Sequence, residues 1–203
     1  MKVEIWFEFA STYSYLTACR APALLRQAGV EYAWMPFLLG PIFQDHGFET
    51  SPFLLYPTKG AYMWRDLERR AARFGLPFVR PPIFPMNGLK AARSTTASLS
   101  ERWSGGFAQA VFAAQFVRGE NISDVGVLSA ALATCGVDPA PWLARAQTDA
   151  VKAELRTRTD RARRNGIFGA PSFVVGDELF WGDDRLEDAI ACASGQRAGA
   201  CSA

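Results

Sequence analysis

Positions 2–9 alternate between two side-chain sets, with Val3, Ile5, Phe7 and Phe9 in one and Glu4, Trp6 and Glu8 in the other. This period of two predicts a strand. From about Thr12 to Ala28 the period lengthens: Tyr15, Leu16, Ala18, Leu24 and Leu25 recur at helical spacing, with Gly29 as the stop. Pro22 lies inside that span, where a proline kinks a helix. Residues 31–38 predict a second strand, broken by Gly40-Pro41. A strand–helix–strand order with a crossover of this length implies parallel pairing.

From about residue 60 to residue 164 the pattern is helical, with loops and no strand. Helices are expected at 58–75, 89–102, 105–118, 124–134 with Ser123 as cap, and 139–164, where Asp138 precedes Pro139 at the first helical position. The stretch VRPPIFPMNG, 79–88, is too rich in proline to be helical. Beyond Asn165-Gly166 alternation returns: strands at 172–175 and 179–181 flank a Gly176-Asp177 turn, and a short helix closes the chain from Asp183. The order βαβ, helices, ββα predicts an α/β protein with a thioredoxin-like fold and a large all-helical insertion. Residues 1–45 and 166–203 would form the thioredoxin-like domain, and 46–165 the inserted one.

Composition narrows the partners. Of 203 residues, 49% are hydrophobic and 21% charged, the balance of a folded globular chain and not of a disordered one. A formal charge of +2 gives no reason to expect nucleic acid or a membrane surface. No stretch approaches the roughly 18 apolar residues of a membrane span, and the N-terminus lacks the apolar run and cleavage site of a signal peptide. Cys19, Cys135, Cys192 and Cys201 show no C-x-x-C spacing, which argues against a redox dithiol and a zinc site and for reduced thiols in a cytoplasmic setting. His46 is the sole histidine, so mechanisms built on paired histidines, or on a multi-histidine metal site, are out of reach.

The predicted topology brings three distant segments together. Ser11 and Thr12 open the first helix, whose end carries unpaired N–H groups and about half a positive charge, so an anion is stabilised there. Hydroxyl residues are also ordinary helix caps. Gly169-Ala170-Pro171 precedes a strand, and a cis bond there would leave the Ala170 N–H and C=O free for an extended peptide; the plain alternative is a strand-opening proline. Gly182-Asp183-Asp184-Arg185 opens the last helix, where one carboxylate could take a peptide's amino group, or both could simply cap the helix.

Six segments in order, S-T-Y-S-Y at 11–15, P-F-L-L-G at 36–40, P-T-K-G-A-Y-M at 57–63, F-P-M-N-G at 84–88, G-A-P-S-F at 169–173 and F-W-G-D-D-R-L at 180–186, resemble the 2-hydroxychromene-2-carboxylate isomerase family. That family lies in the DsbA-like superfamily beside the kappa-class glutathione transferases, and the resemblance spans residues 2–192. It implies glutathione as cofactor, with Ser11 beside the sulfur and acting as catalytic donor. It further implies contacts from Ala170 and Pro171, and from Trp181, Gly182, Asp183 and Asp184 to the γ-glutamyl end. Lys59, Tyr62 and Asn87 would face a small aromatic substrate, although Tyr62 also suits helix packing, Lys59 a solvated surface and Asn87 a turn. A homodimer is implied as well. Three departures stand out: Thr12 occupies a position where many relatives carry proline, TSPFL at 50–54 offers no asparagine, and Ala61 is small where a longer side chain is expected.

The implied reaction interconverts 2-hydroxychromene-2-carboxylate and trans-o-hydroxybenzylidenepyruvate, by reversible addition of a thiolate to a conjugated double bond. Two other readings remain: a kappa-like transferase that consumes glutathione, and a non-catalytic thioredoxin-like binding protein.

Overall fold

The computed structural model describes residues 1–195. Strand β1 (Val3–Phe7) pairs in parallel with β2 (Tyr32–Pro36), Val3 opposite Tyr32 and Phe7 opposite Pro36, and helix α1 (Thr12–Gln27) makes the crossover. Near the other end of the chain, β3 (Ser172–Val175) runs antiparallel to β1, and β4 (Glu178–Trp181) completes a hairpin. The resulting order is β2-β1-β3-β4. The parallel pair and the late antiparallel hairpin are those read from the sequence, and the chain is an α/β protein with a thioredoxin-like sheet and a long helical stretch between β2 and β3.

The alternation along β1 sorts its side chains onto two buried faces. Val3, Ile5 and Phe7 join Leu16 and Leu25 of α1 and Phe107, Val111 and Phe112 of the later helices. Trp6 points the other way, into a smaller cluster with Met35, Phe37, Leu39, Ile42, Ala162 and Ile167. Each fully buried aromatic or aliphatic side chain contributes roughly 1.5–3 kcal/mol, so both faces of β1 stabilise the sheet. The larger cluster draws on residues from both sides of position 46.

The helical stretch contains α2 (Leu39–Asp45), α3 (Pro52–Leu55), α4 (Pro57–Arg73), α5 (Leu89–Ala97), α6 (Ser104–Phe116), α7 (Val125–Ala133), α8 (Pro139–Arg145) and α9 (Asp149–Arg164). After β4 a single 3-10 turn, Asp183–Arg185, leads into α10 (Leu186–Ala193). No strand lies between β2 and β3 among the described residues, as the pattern predicts.

Several expectations fail in instructive ways. The helix read over 139–164 is two helices, because the Thr148 side chain accepts from the Val151 N–H and starts a new helix after Arg145. The cap of α7 is Asp124, whose Oδ1 accepts from Gly126 N at 2.8 Å, and not Ser123, whose hydroxyl bonds Asn121 instead. The helix expected over 89–102 ends at Ala97. Gly40-Pro41 lies inside the first turn of α2, where proline's missing N–H costs nothing. Cys19 and Cys135 are free thiols, but Cys192 is disulfide-bonded, against the expectation of four reduced cysteines. Spacing along the chain does not report which Cα atoms come within bridging reach in space, and the inference from cysteines to compartment loses its basis. Cys201 lies outside the described residues. No helix among those residues is long and apolar enough to cross a membrane.

Candidate active site

A cleft of about 1330 Å³ opens between the ends of the sheet and the helices α2 to α5. Its inner wall begins where β1 stops. The Phe9 ring lies 5.3 Å from Phe7 and 5.0 Å from Phe112, which fixes the chain as it turns away from the sheet. The Ser11 N–H then donates to the Glu8 carbonyl at 3.0 Å, and α1 begins at Thr12.

Ser11 does two things at once. Its Oγ accepts from Ser14 N at 3.2 Å, capping the helix, and donates to the Ala170 carbonyl at 2.8 Å. The second bond joins the hydroxyl turn to a segment 159 residues away. The Ala170-Pro171 peptide is cis. Pro171 is not itself part of the cleft lining; its carbonyl accepts from Gly182 N at 3.0 Å, tying this loop to the turn after β4.

That turn carries Trp181, 53% exposed, with its ring 4.8 Å from Phe168. The indole lies against Gly169, where any Cβ would collide with the ring nitrogen. Beside it, Asp183 is buried and fully engaged: its carboxylate accepts from Thr17 Oγ1 at 2.9 Å, Arg20 at 3.0 Å and Arg70 at 2.7 Å. Burial pushes this acid above the ordinary carboxylate range, while Arg20, Arg70 and Thr17 pull it back. Asp184 is half-exposed and meets Arg185 at 3.1 Å. Of the two acids predicted at this position, Asp184 is therefore the one with acceptor capacity to spare.

Lys59, Tyr62 and Asn87 line the same cleft farther out. Lys59 holds its ammonium 5.7 Å from the Phe53 ring centre, and Tyr62 is 62% exposed. The Asn87 side-chain oxygen accepts from Leu89 N at 3.0 Å and so serves the start of α5, which leaves its amide NH₂ toward other partners. Among the described residues no cluster of His, Cys, Asp or Glu could hold a metal ion.

The structure adds residues that sequence reading passed over. The Tyr13 hydroxyl donates to Asp66 at 2.8 Å, and burial with that carboxylate raises the phenol's pKa. Arg70 reaches from α4 to Asp183 and keeps a buried Nε without a partner. Glu8 ends up buried and lining the cleft, with its carboxylate on the backbone N–H groups of Ala10 at 3.2 Å and Leu39 at 3.1 Å. An acid between two phenylalanines at the end of a strand was the available signal for Glu8; for Arg70 there was none.

With this geometry described, similarity to known proteins can be stated. The model of the DSBA-like thioredoxin domain matches residues 2–190. The chain belongs to that family. It is 27% identical over 186 residues to a 2-hydroxychromene-2-carboxylate isomerase of Sphingobium xenophagum, covering 91% of this chain and 94% of the relative. It is 26% identical to glutathione S-transferase kappa 1 of Rattus norvegicus, covering 91% of this chain and 87% of that one. A solved 2-hydroxychromene-2-carboxylate isomerase superposes with a TM-score of 0.87 at 24% identity, over 97% of this chain and 95% of the other, and so shares its fold. Within the DsbA-like family this chain carries Ser11 and Ser14 at the start of α1, so a dithiol exchange at that place lacks its sulfurs.

Proposed function

We propose that this DsbA-like protein is a glutathione-dependent isomerase of the 2-hydroxychromene-2-carboxylate isomerase type. It would act on that compound and trans-o-hydroxybenzylidenepyruvate, or on a related product of aromatic-ring breakdown. The observation that carries the reading is the bond from the Ser11 hydroxyl to the Ala170 carbonyl, which puts a helix N-terminus, a hydroxyl proton and a backbone acceptor outside the sheet ladder at one point of the cleft.

The wall fits a zwitterionic tripeptide. Arg70 lines the cleft as a part-exposed cation for a carboxylate, Asp184 can accept from an ammonium, and the Ala170 carbonyl can accept from a peptide N–H. Glutathione would supply a thiolate able to add reversibly to a conjugated double bond. Ser11 solvates negative charge at sulfur: once a ligand N–H occupies the Ala170 carbonyl, the serine proton is released to turn toward the sulfur. The start of α1 adds its partial positive charge, and both favour the anion of a group whose free pKa is about 8.5. Ser11 is a donor and not the nucleophile, because no general base lies against its hydroxyl. Phe43, Phe53, Phe84 and Met86 exclude water from the outer cleft and offer faces to an aromatic ring, while Lys59 provides a cation for the substrate's carboxylate.

Calorimetric titration with glutathione, followed by assay of free thiol during conversion of trans-o-hydroxybenzylidenepyruvate, tests the reading. Binding with thiol conserved through turnover supports it. Loss of thiol in step with substrate would favour the transferase alternative suggested by the kappa-class relatives, and absence of binding would sink both.

A further inference from the structure

Most acids on the wall of the cleft are answered by a side chain. Asp66 takes the Tyr13 hydroxyl, Asp183 takes two arginines and a threonine, and Asp184 takes Arg185. Glu8 differs. Its donors are backbone N–H groups, from Ala10, Leu39 and Phe9, and among the described residues no basic side chain forms an ion pair with it. Glu8 and Ser11 line the same cleft at one turn of the chain, where the Ala10 N–H donates to the Glu8 carboxylate and the Ser11 N–H to the Glu8 backbone carbonyl. Gly88 packs closely against the carboxylate: a Cβ at that glycine would lie 2.9 Å from Oε1, nearer than a side chain could sit. A buried carboxylate with only neutral donors pays heavily for its charge, and burial raises its pKa above the ordinary value of 4.5.

Building on the glutathione reading above, we propose that Glu8 is the proton store of this site, taking up the proton that leaves a thiol bound beside Ser11 and returning it when the thiol departs. The S–H bond breaks with its electron pair left on sulfur, and an O–H bond forms on Glu8. The buried region keeps a constant charge, one anion replacing another, so ionisation of the ligand costs less than it would with release of the proton to water. An isomerisation consumes no proton overall, and a store that fills and empties once per cycle suits it. The bland role for Glu8 is to cap α2, where Leu38 provides no side-chain cap and Leu39 N is the first helical donor. A glutamine would fill that role only in part, because its single amide oxygen can keep the bond from Leu39 N while its NH₂ would face the Ala10 N–H, so the readouts that decide are proton balance and the carboxylic acid band and not stability.

The test uses the full-length wild type and Glu8→Gln. Infrared difference spectra of the wild type with and without glutathione should show a buried carboxylic acid band rising as glutathione is added, and Glu8→Gln should lack it. In buffers of differing ionisation heat, the wild type should bind glutathione with no net proton release, together with thiolate absorbance in the ultraviolet. Glu8→Gln should bind with a proton released to buffer or with its thiol still protonated, and turnover should fall on the order of a hundredfold, the lower range for a proton-transfer group. A wild type that forms thiolate without the infrared band overturns the proposal, even should the variant fail to fold. So does a Glu8→Gln protein whose proton balance and thiolate titration match the wild type. If the wild type does not bind glutathione at all, the functional reading falls first and the proton store with it.

Discussion

At the inner end of the cleft Glu8 is held by main-chain amides, whereas at the Trp181 end Asp183 is clamped between Arg20 and Arg70. Both carboxylates are buried, both line the same cavity, and burial raises the pKa of both. What differs is the compensation. Two cations and a hydroxyl convert Asp183 into a cross-link between α1, α4 and the turn after β4. Neutral donors leave Glu8 able to change protonation state. A buried charge that is fully answered is architecture, and one that is half answered is available for chemistry.

The contrast can be broken most forcefully at Asp183. Asp183→Ala leaves Arg20 and Arg70 facing each other with their side chains only 10% and 22% exposed, and it should cost about 3 kcal/mol or more in urea unfolding. A loss below about 1 kcal/mol would mean that Glu187, Arg20's other partner, and solvent suffice. Ser11→Ala should cost less, about 1 kcal/mol for a lost cap, while raising the pKa of bound thiol in an ultraviolet titration. An unshifted titration would confine Ser11 to capping.

A smaller effect sharpens the account of Glu8. Its folded-state pKa is raised, so the folded protein binds its proton more tightly than the unfolded chain does. Stability is then unaffected well below the unfolded value and declines as pH rises through the interval up to the folded pKa. Glu8→Gln should remove that decline, so the stability difference between the two proteins ought to move in the variant's favour between acidic and neutral pH, as followed by thermal melts. A constant difference across that window would show that Glu8 is not perturbed by burial. The smallest expected change is at the mouth: Tyr62→Ser, 62% exposed, should shift stability by no more than about 0.5 kcal/mol, and its effect should appear in the KM for the aromatic substrate.

Legibility in the sequence followed the range of the interaction. The alternation of β1, the helical period of α1 with its terminal Gly29, and the hairpin at Gly176-Asp177 are local patterns, and the structure contains them all. Helices α2 and α3 went unread because they are too short for a period to show; α3 buries none of its residues. The break at Thr148 went unread because Ala146 and Val151 sustain an apolar spacing across a point where a hydroxyl restarts the helix. In the site, the hydroxyl turn, the Ala170-Pro171 loop and Trp181 could be read as segments. The arginines that claim Asp183 come from 163 and 113 residues away, and nothing in their own neighbourhood announces that errand. Glu8 read as the polar side of a strand, but that side is covered by the cluster around Trp6.

The position of β1 between β2 and β3 has a consequence for how the protein is made. One neighbour emerges from the ribosome within about thirty residues and the other only after residue 171. Until then, β1 presents an unpaired edge, and the hydroxyl of Ser11 has no Ala170 to meet. Assembly of the candidate site thus waits on nearly complete translation, and a prematurely terminated chain would expose a sticky strand beside an unformed cleft.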